Sequence, residues 1–477
     1  MNKCIVIPLV MVCALVYGTY AKAQEMTIEK QLTFACQSHW LDNNDNFSAD
    51  GRYLCYDTRE SVGLGIDNGQ TIEVLELETG RSIIVYKPDR TVVGETPAPG
   101  VGAVSFNLAS NEMAFIHGPL VEEVPLRGAY GKPNRNGACV RLDGSVVERE
   151  GALHMLKEGR YSFSWLDCRD VETNRDTLPG AHRGGTHRHE FCLSGARIGF
   201  TYDDFLLPQY DRTIGYMEPH AKAPKPAGHY FAVLIPVKPK DTSKPGELEK
   251  AYGDSWVDPA GTMRAFIGKV RNPDGITYEE SLFVVDIPLN IDITTANSGN
   301  ASRYPAPPAG LNVRRLTHDW AGGIVRGAPD GKRIAYYGKD KEGRTQVFII
   351  NANGSDKADD TAMHPKQATF LEEGTEAGLR WFPSGDALLS VSDSGLVVTS
   401  VRDGDTFGKS VFLTPKGDGK DRHAPVISPD GKRIAYNCPV ETTDKDGHVC
   451  KNYAGLDFIQ IFMMALPQSP AEMFQSR

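Results

Sequence analysis

Three side chains that could share acid–base work stand near the ends of matching segments: His117, Tyr202 and Arg212. If Phe115 matches Phe200 in the segments described below, His117 falls where Tyr202 falls, two residues further on. Residues two apart on a strand point the same way, so both should emerge on one rim of the fold. The other copies of the segment carry Thr58, Gly268, Gly338, Ser392 and Cys438 at that place, so a titratable group there is special to this pair. Arg212, within Tyr-Asp-Arg-Thr-Ile-Gly at 210–215, reads as part of the next strand. An arginine beside a phenol favours phenolate and lowers its pKa from about 10. Arginine also clamps a carboxylate with two parallel hydrogen bonds. A carboxylate clamp, a phenol and an imidazole together suit β-elimination on a uronate. Neutralising the C6 carboxylate acidifies the C5 proton, a base removes it, and an acid protonates the departing O4. The bland alternative is that each residue caps its strand with a hydrogen bond.

A second candidate is the pair His187 and His189, read as lying on one face of a strand. Such a pair could begin a zinc site, with His182, His220, His229 or Cys192 as a third ligand, but a hydrogen-bonded structural pair explains it as well. His39, Asn44 and Arg59 flank the first repeat and could line the same rim; Arg59 is the one read as substrate-binding. The adjacent acids Asp203 and Asp204 would point to opposite faces of a strand, which does not suit a paired-carboxylate hydrolase. The acidic run at 356–360 lacks the spacing of a calcium loop and reads as a solvated turn.

The elements that must position these residues come from a repeat. Phe-Ser-Ala-Asp-Gly at 47–51, Ala-Pro-Asp-Gly at 328–331, Phe-Pro-Ser-Gly at 382–385 and Ile-Ser-Pro-Asp-Gly at 427–431 are each followed by an alternating apolar strand. Related turns begin at Phe106, Phe191 and Val257, which makes seven copies. An apolar residue, a Pro/Asp/Ser-Gly turn and an alternating strand is a hairpin signal. The copies recur at roughly the interval of one four-stranded propeller blade with variable loops. A single blade cannot bury both faces, so the ring must close. The fold class expected is all-β, a seven-bladed β-propeller of four-stranded blades. It would fill residues 24–477 as one domain, with rim insertions near 118–186, 219–245 and 292–310. The first insertion shows few strand signals, and residues 245–252 read as a short helix.

The first 23 residues read as a cleaved signal peptide: Lys3, an apolar run over 5–16, and Ala-Lys-Ala at 21–23. The apolar run is too short to span a membrane. Cleavage removes Lys3 and Lys22 and no acid, taking the formal net charge from −9 to −11. A chain so acidic is a poor general binder of nucleic acid, and a polyanionic substrate would need a local basic patch. The protein is expected to be exported, periplasmic or secreted, and monomeric. Seven cysteines remain after cleavage, so at least one is unpaired. The expected disulfide is Cys438–Cys450, stapling the turn-rich stretch at 443–447.

The chain resembles polysaccharide lyase family 25, the propeller ulvan lyases, and the wider bacterial family around them. The resemblance runs through most of the mature chain. It is carried by Phe-Ile-His-Gly-Pro at 115–119, Arg-Gly-Gly-Thr-His at 183–187, Phe-Thr-Tyr at 200–202 with Arg212 beyond, Ala-Phe-Ile-Gly at 265–268, and Arg-Arg-Leu-Thr at 314–317. The Pro-Asp-Gly-Lys-Arg-Ile-Ala-Tyr copies at 329–336 and 429–436 also resemble TolB-like repeats. The first resemblance implies a lyase acting on an anionic, uronic-acid-containing polysaccharide, sulfated (ulvan-like) or not. It implies Tyr202 as base and acid, His117 beside it and Arg212 as carboxylate neutraliser. It implies no cofactor for the chemistry, although a structural zinc or calcium ion is compatible with it. A second active-site histidine of that family has no counterpart at 132–137, where Asn134 and Arg135 stand and are read, with His187 and His189, as substrate-binding. The alternative is a non-catalytic TolB-like envelope propeller that binds a protein or glycan.

Overall fold

The computed structural model describes residues 28–475 except 42, 44, 60–64 and 95. The signal-peptide expectation and Asn44 therefore lie outside the described residues. Seven blade sheets follow one another in chain order, their four successive strands antiparallel from the axis outwards. Blade 3 shows the pattern: Gly184–Phe191 inside, then Ile198–Asp204, Thr213–Pro219 and His229–Val233. Blade 2 runs Val101–Phe106, Glu112–His117, Asn136–Arg141 and Phe163–Trp165. Second strands are almost wholly buried, as in Ala387–Ser392, because both faces of each sheet pack against the neighbouring blades. This is the all-β, seven-bladed propeller that the repeat predicts.

The repeated turn earns its sequence. Gly51, Gly195, Gly261, Gly331, Gly385 and Gly431 hold φ between 66° and 74°, a region where a Cβ is costly. In three of these copies an arginine two residues after the glycine reaches the next blade. Arg197 donates to the Gly261 carbonyl at 2.9 Å, Arg333 to Gly385 at 2.6 Å and Arg433 to Gly51 at 2.9 Å. The Gly-x-Arg unit thus makes a turn and also ties it to its neighbour around the ring.

The ring closes through the N-terminus. Lys30–Gln31 pairs with Phe458–Ala465 and becomes the outer strand of blade 7. Glu29 beside it meets the fully buried Arg422 at 2.7 Å and accepts from the Tyr436 hydroxyl. A disulfide joins Cys36 to Cys450 across 414 residues. Cys438 is a buried free thiol, which corrects the expected Cys438–Cys450 staple. The reason is positional: Cys450 lies on a small hairpin arm, Thr442–Thr443 with Val449–Cys450, that folds towards the N-terminal segment, while Cys438 stays inside the blade 7 strand Arg433–Val440.

Two local expectations also fail. The stretch after Gly118 holds four strands: Asn136–Arg141, Ser145–Arg149, Ala152–Leu156 and Phe163–Trp165. Of these, the exposed hairpin 145–156 extends blade 1, pairing in parallel with Arg81–Tyr86 through Ile84 and His154. Residues 245–252 make no helix, because Leu248–Trp256 is the inner strand of blade 4 and buries Leu248, Glu249 and Ala251.

Candidate functional site

Each second strand starts at the turn face and ends on the opposite rim, so His117 and Tyr202 do end on one rim. Neither ring reaches solvent. Tyr202 donates from its hydroxyl to Asp204 at 2.9 Å, and Asp204 is paired at 2.9 Å with the fully buried Arg183. Burial and the Asp204 charge hold the phenol well above its ordinary pKa. The expected partner, Arg212, stands just before the strand Thr213–Pro219 and pairs with Asp203 at 2.8 Å. Strand alternation puts Asp203 on the sheet face opposite Tyr202, so the arginine approaches the wrong side to acidify the phenol. His117 is caught between the Tyr86 hydroxyl (2.8 Å from Nε2) and the Gly118 carbonyl (2.6 Å from Nδ1), in an aromatic nest with Phe163 and Trp165. Burial lowers its pKa to about 4.

A different group assembles on the Asp203 side. In the ladder Gly185 faces Asp203 and His187 faces Thr201, so His187 and Asp203 share a face. Arg135, which precedes the blade 2 strand Asn136–Arg141, comes within 3.7 Å of the same Asp203 carboxylate. A Cβ at Gly185 would stand 3.0 Å from Arg135 Cγ and 2.1 Å from the Lys132 carbonyl, so glycine lets the two blades approach. Arg135 is 4% exposed; it donates to the Tyr130 hydroxyl at 3.1 Å, while its Nε and Nη2 are buried with no hydrogen-bond partner. His187 is half-buried, and its Nδ1 also lacks a partner. Burial, then Arg135 and Arg212, drive the imidazole pKa well below its ordinary value, so the ring is neutral. Arg169 extends the cationic rim: it bonds the Gly184 and Pro133 carbonyls, and burial with nearby Arg127 lowers its pKa to about 10. Arg127, Arg135, Arg169 and Arg212 gather on this side, with Arg127 paired to Glu123 at 3.0 Å and Arg135 and Arg212 sharing Asp203.

The remaining expected residues are placed differently. Arg59 is fully buried, paired with Asp57 at 2.6 Å and packed on Trp40. Asn134 donates to the carbonyls of Arg127, Gly128 and Ala129, which shapes the loop under Arg135. His187 and His189 do not share a face: a bulge between His187 and Glu190, with Arg188 at φ 61°, breaks the alternation. His189 turns to Thr186, whose hydroxyl meets its Nε2 at 3.0 Å, and burial lowers its pKa to about 4. Among the described residues, the group that gathers three possible metal ligands is instead Asp444, Asp446 and His448, on the exposed hairpin arm. There Asp444 accepts from the Asp446 and His448 amides, as an ordinary turn residue does.

Sequence reasoning missed Tyr130, Arg169 and the use of Asp203. Tyr130 and Arg169 lie in the connections after Gly118 and after Trp165, where no repeat supplies an alignment. Asp203 was visible only as half of an acidic pair.

The family described as "Protein of unknown function (DUF3748)" matches residues 100–229, which are blades 2 and 3 and carry this rim cluster. The uncharacterized protein YidR of Escherichia coli (strain K12) is 29% identical over 437 residues, spanning 85% of this chain and 94% of that protein. Among solved structures, an oligogalacturonate lyase in complex with manganese superposes with TM-score 0.50 at 12% identity, covering 93% of this chain and 94% of that one. TolB from Acinetobacter baumannii gives TM-score 0.38 at 12% identity, with 88% and 82% covered. At such identities the shared feature is the propeller fold.

Proposed function

We propose that the protein is an exported propeller that binds a uronate-bearing polysaccharide on the rim of blades 2 and 3 and cleaves it by β-elimination. One observation carries the reading: Arg135 and Arg212 share the single carboxylate of Asp203, and two Arg135 nitrogens lack a hydrogen bond, beside the neutral half-buried imidazole of His187. A buried guanidinium short of acceptors is costly, and a substrate carboxylate would satisfy it. In this scheme Arg135 and Arg212 hold the C6 carboxylate, which spreads the negative charge that develops when C5 is deprotonated. His187, neutral and therefore basic, takes the C5 proton. The C5–H electrons form the C4–C5 double bond as the C4–O4 bond breaks, and the Tyr130 hydroxyl protonates O4. Tyr202 is thereby moved from the base role to a structural one. The Cys36–Cys450 disulfide supports an oxidising compartment, hence export. A lyase of an oligouronate shares the fold, which is compatible with such chemistry on this scaffold.

A binding role without chemistry is the second reading, favoured by the burial of both Tyr202 and His117. The deciding experiment follows absorbance in the ultraviolet band of unsaturated uronyl products on polygalacturonate, ulvan and glycosaminoglycans, together with polymer binding. The reading requires a rise that falls at least 100-fold in His187→Ala while binding persists, and weakened binding in Arg135→Ala. Because the imidazole pKa is depressed, the rate should hold on the acid side well below pH 6.5. Binding with no absorbance change on any polymer selects the non-catalytic reading. Absence of both overturns the proposal.

A further inference from the structure

The opposite, turn-bearing face holds a funnel of about 350 Å³ on the ring axis, to which all seven blades contribute. Its wall includes Phe47, Phe106, Phe191, Trp256 and Trp381, and its base includes Arg326 and Arg380. These arginines occupy equivalent places on the inner strands of blades 5 and 6, each one residue before the position that pairs seven residues ahead. Both donate to the same Leu379 carbonyl, Arg326 from Nε at 3.2 Å and Arg380 from Nη1 at 2.8 Å. Two guanidiniums are thus held side by side. Arg380 also reaches the Asn43 carbonyl at 2.9 Å. Arg326 is 4% exposed and forms no ion pair among the described residues, and its Nη2 is buried with no hydrogen-bond partner.

Of the three acids that line the funnel, Asp45, Glu190 and Asp258, the last two are engaged by other groups. Glu190 is bound by Arg264 at 3.0 Å and by the Ser255 hydroxyl at 2.8 Å. Asp258 caps its own turn through the Ala260, Thr262 and Met263 amides.

One inner strand carries a cation at a strained backbone position. Six inner strands carry a bulge whose central residue has positive φ: Ala103, Arg188, Gly253, Gly323, Gly378 and Ala424. Five of these are glycine or alanine, where little or no side chain must be accommodated. Blade 3 alone places a long side chain in that conformation, which an L-residue adopts at a cost. The residue is Arg188; burial above all, then the charges of Arg380 and Arg188, depress the pKa of Arg326.

We propose that the axial funnel is a binding site for a small organic oxyanion, a carboxylate, phosphate or sulfate on a body of about monosaccharide size. Arg326 takes the oxyanion through its Nη2, Arg380 beside it supplies further positive charge, and Trp256 and Trp381 form the apolar wall against the body. The volume lies in the range of pockets that enclose small ligands. A buried guanidinium with no acceptor is unfavourable, and a bidentate oxyanion both satisfies and neutralises it. The site is on the other face from the rim cluster and stands or falls independently of it.

The test is tryptophan fluorescence and isothermal titration with D-glucuronate, inorganic sulfate and neutral D-glucose, on the full chain. Saturable quenching by glucuronate is expected, with sulfate competing and glucose at least tenfold weaker. Arg326→Gln should weaken glucuronate at least tenfold, Arg326→Lys less, and Arg344→Ala, at an exposed arginine outside both sites, not at all. Arg326→Gln should also fold with an unchanged or higher melting temperature, since it removes an uncompensated buried charge, while losing stabilisation by the anion. No saturable signal, equal affinity for glucose, or undiminished binding by Arg326→Gln would each overturn the proposal. An affinity lost only in Arg135→Ala would assign the signal to the rim and overturn it too.

Discussion

Replacing Tyr202 by phenylalanine separates two accounts of the rim. The ring fills the core with Phe231 and Tyr304, and phenylalanine keeps that packing. What is lost is the hydroxyl, whose 2.9 Å bond to Asp204 is a contact to a charged acceptor. Bonds of that kind contribute about 1.5–3 kcal/mol. Asp204 keeps Arg183 and the Leu206 and Leu207 amides at 2.9, 2.9 and 2.8 Å, so the loss belongs at the lower end, about 2 kcal/mol. An unfolding entropy of about 2.1 cal/mol/K per residue over about 450 ordered residues is roughly 0.95 kcal/mol/K, so the melting temperature should fall by about 2 °C. Calorimetry of the purified variant reads this directly. If the hydroxyl is structural, elimination on the best polymer stays within about threefold of wild type despite the lower melting temperature. A variant that melts within half a degree of wild type, yet has lost elimination, would refute the structural assignment and restore the phenol as acid–base.

Two further outcomes test the closure of the ring. Cys36→Ser, or reduction of the native protein, should cost about 2–5 kcal/mol in a chemical denaturation curve, whereas Cys438→Ala should leave the Cys36–Cys450 peptide intact in a non-reducing digest. Glu29, although burial opposes its charge, is held at a pKa of about 2 by hydrogen bonds from Arg422, Tyr436 and Lys420. A depressed carboxyl contributes its stability above the unfolded-chain pKa of about 4.3 and loses it as pH falls towards 2. The melting temperature of Glu29→Gln should therefore be lower than wild type at pH 7, with the difference shrinking between pH 4.5 and 2; a constant difference would refute the coupling.

The fold was legible because a propeller is written locally. The apolar residue, its turn and its alternating strand recur, and each copy states its own hairpin without reference to the rest of the chain. Even the ties between blades are visible there, since Arg197, Arg333 and Arg433 stand at one fixed offset from the turn glycine. The candidate site was only partly legible. Arg135, His187 and Arg212 were named, but Tyr202 was set on the wrong side of the sheet from Arg212 by one residue of alternation. The His187–His189 pair was separated by a single bulge. Neither a bulge at Arg188 nor the strand face that meets a neighbouring blade is encoded within a few residues; both follow from how inner strands crowd the axis. The same holds for Cys36 and Cys450, brought together across 414 residues because the N-terminal strand completes the last blade. Local hydrogen bonding and hydrophobic period thus determined the seven hairpin units, while ring closure and inter-blade packing alone decided which charges are buried, which are paired and which are left to meet a ligand.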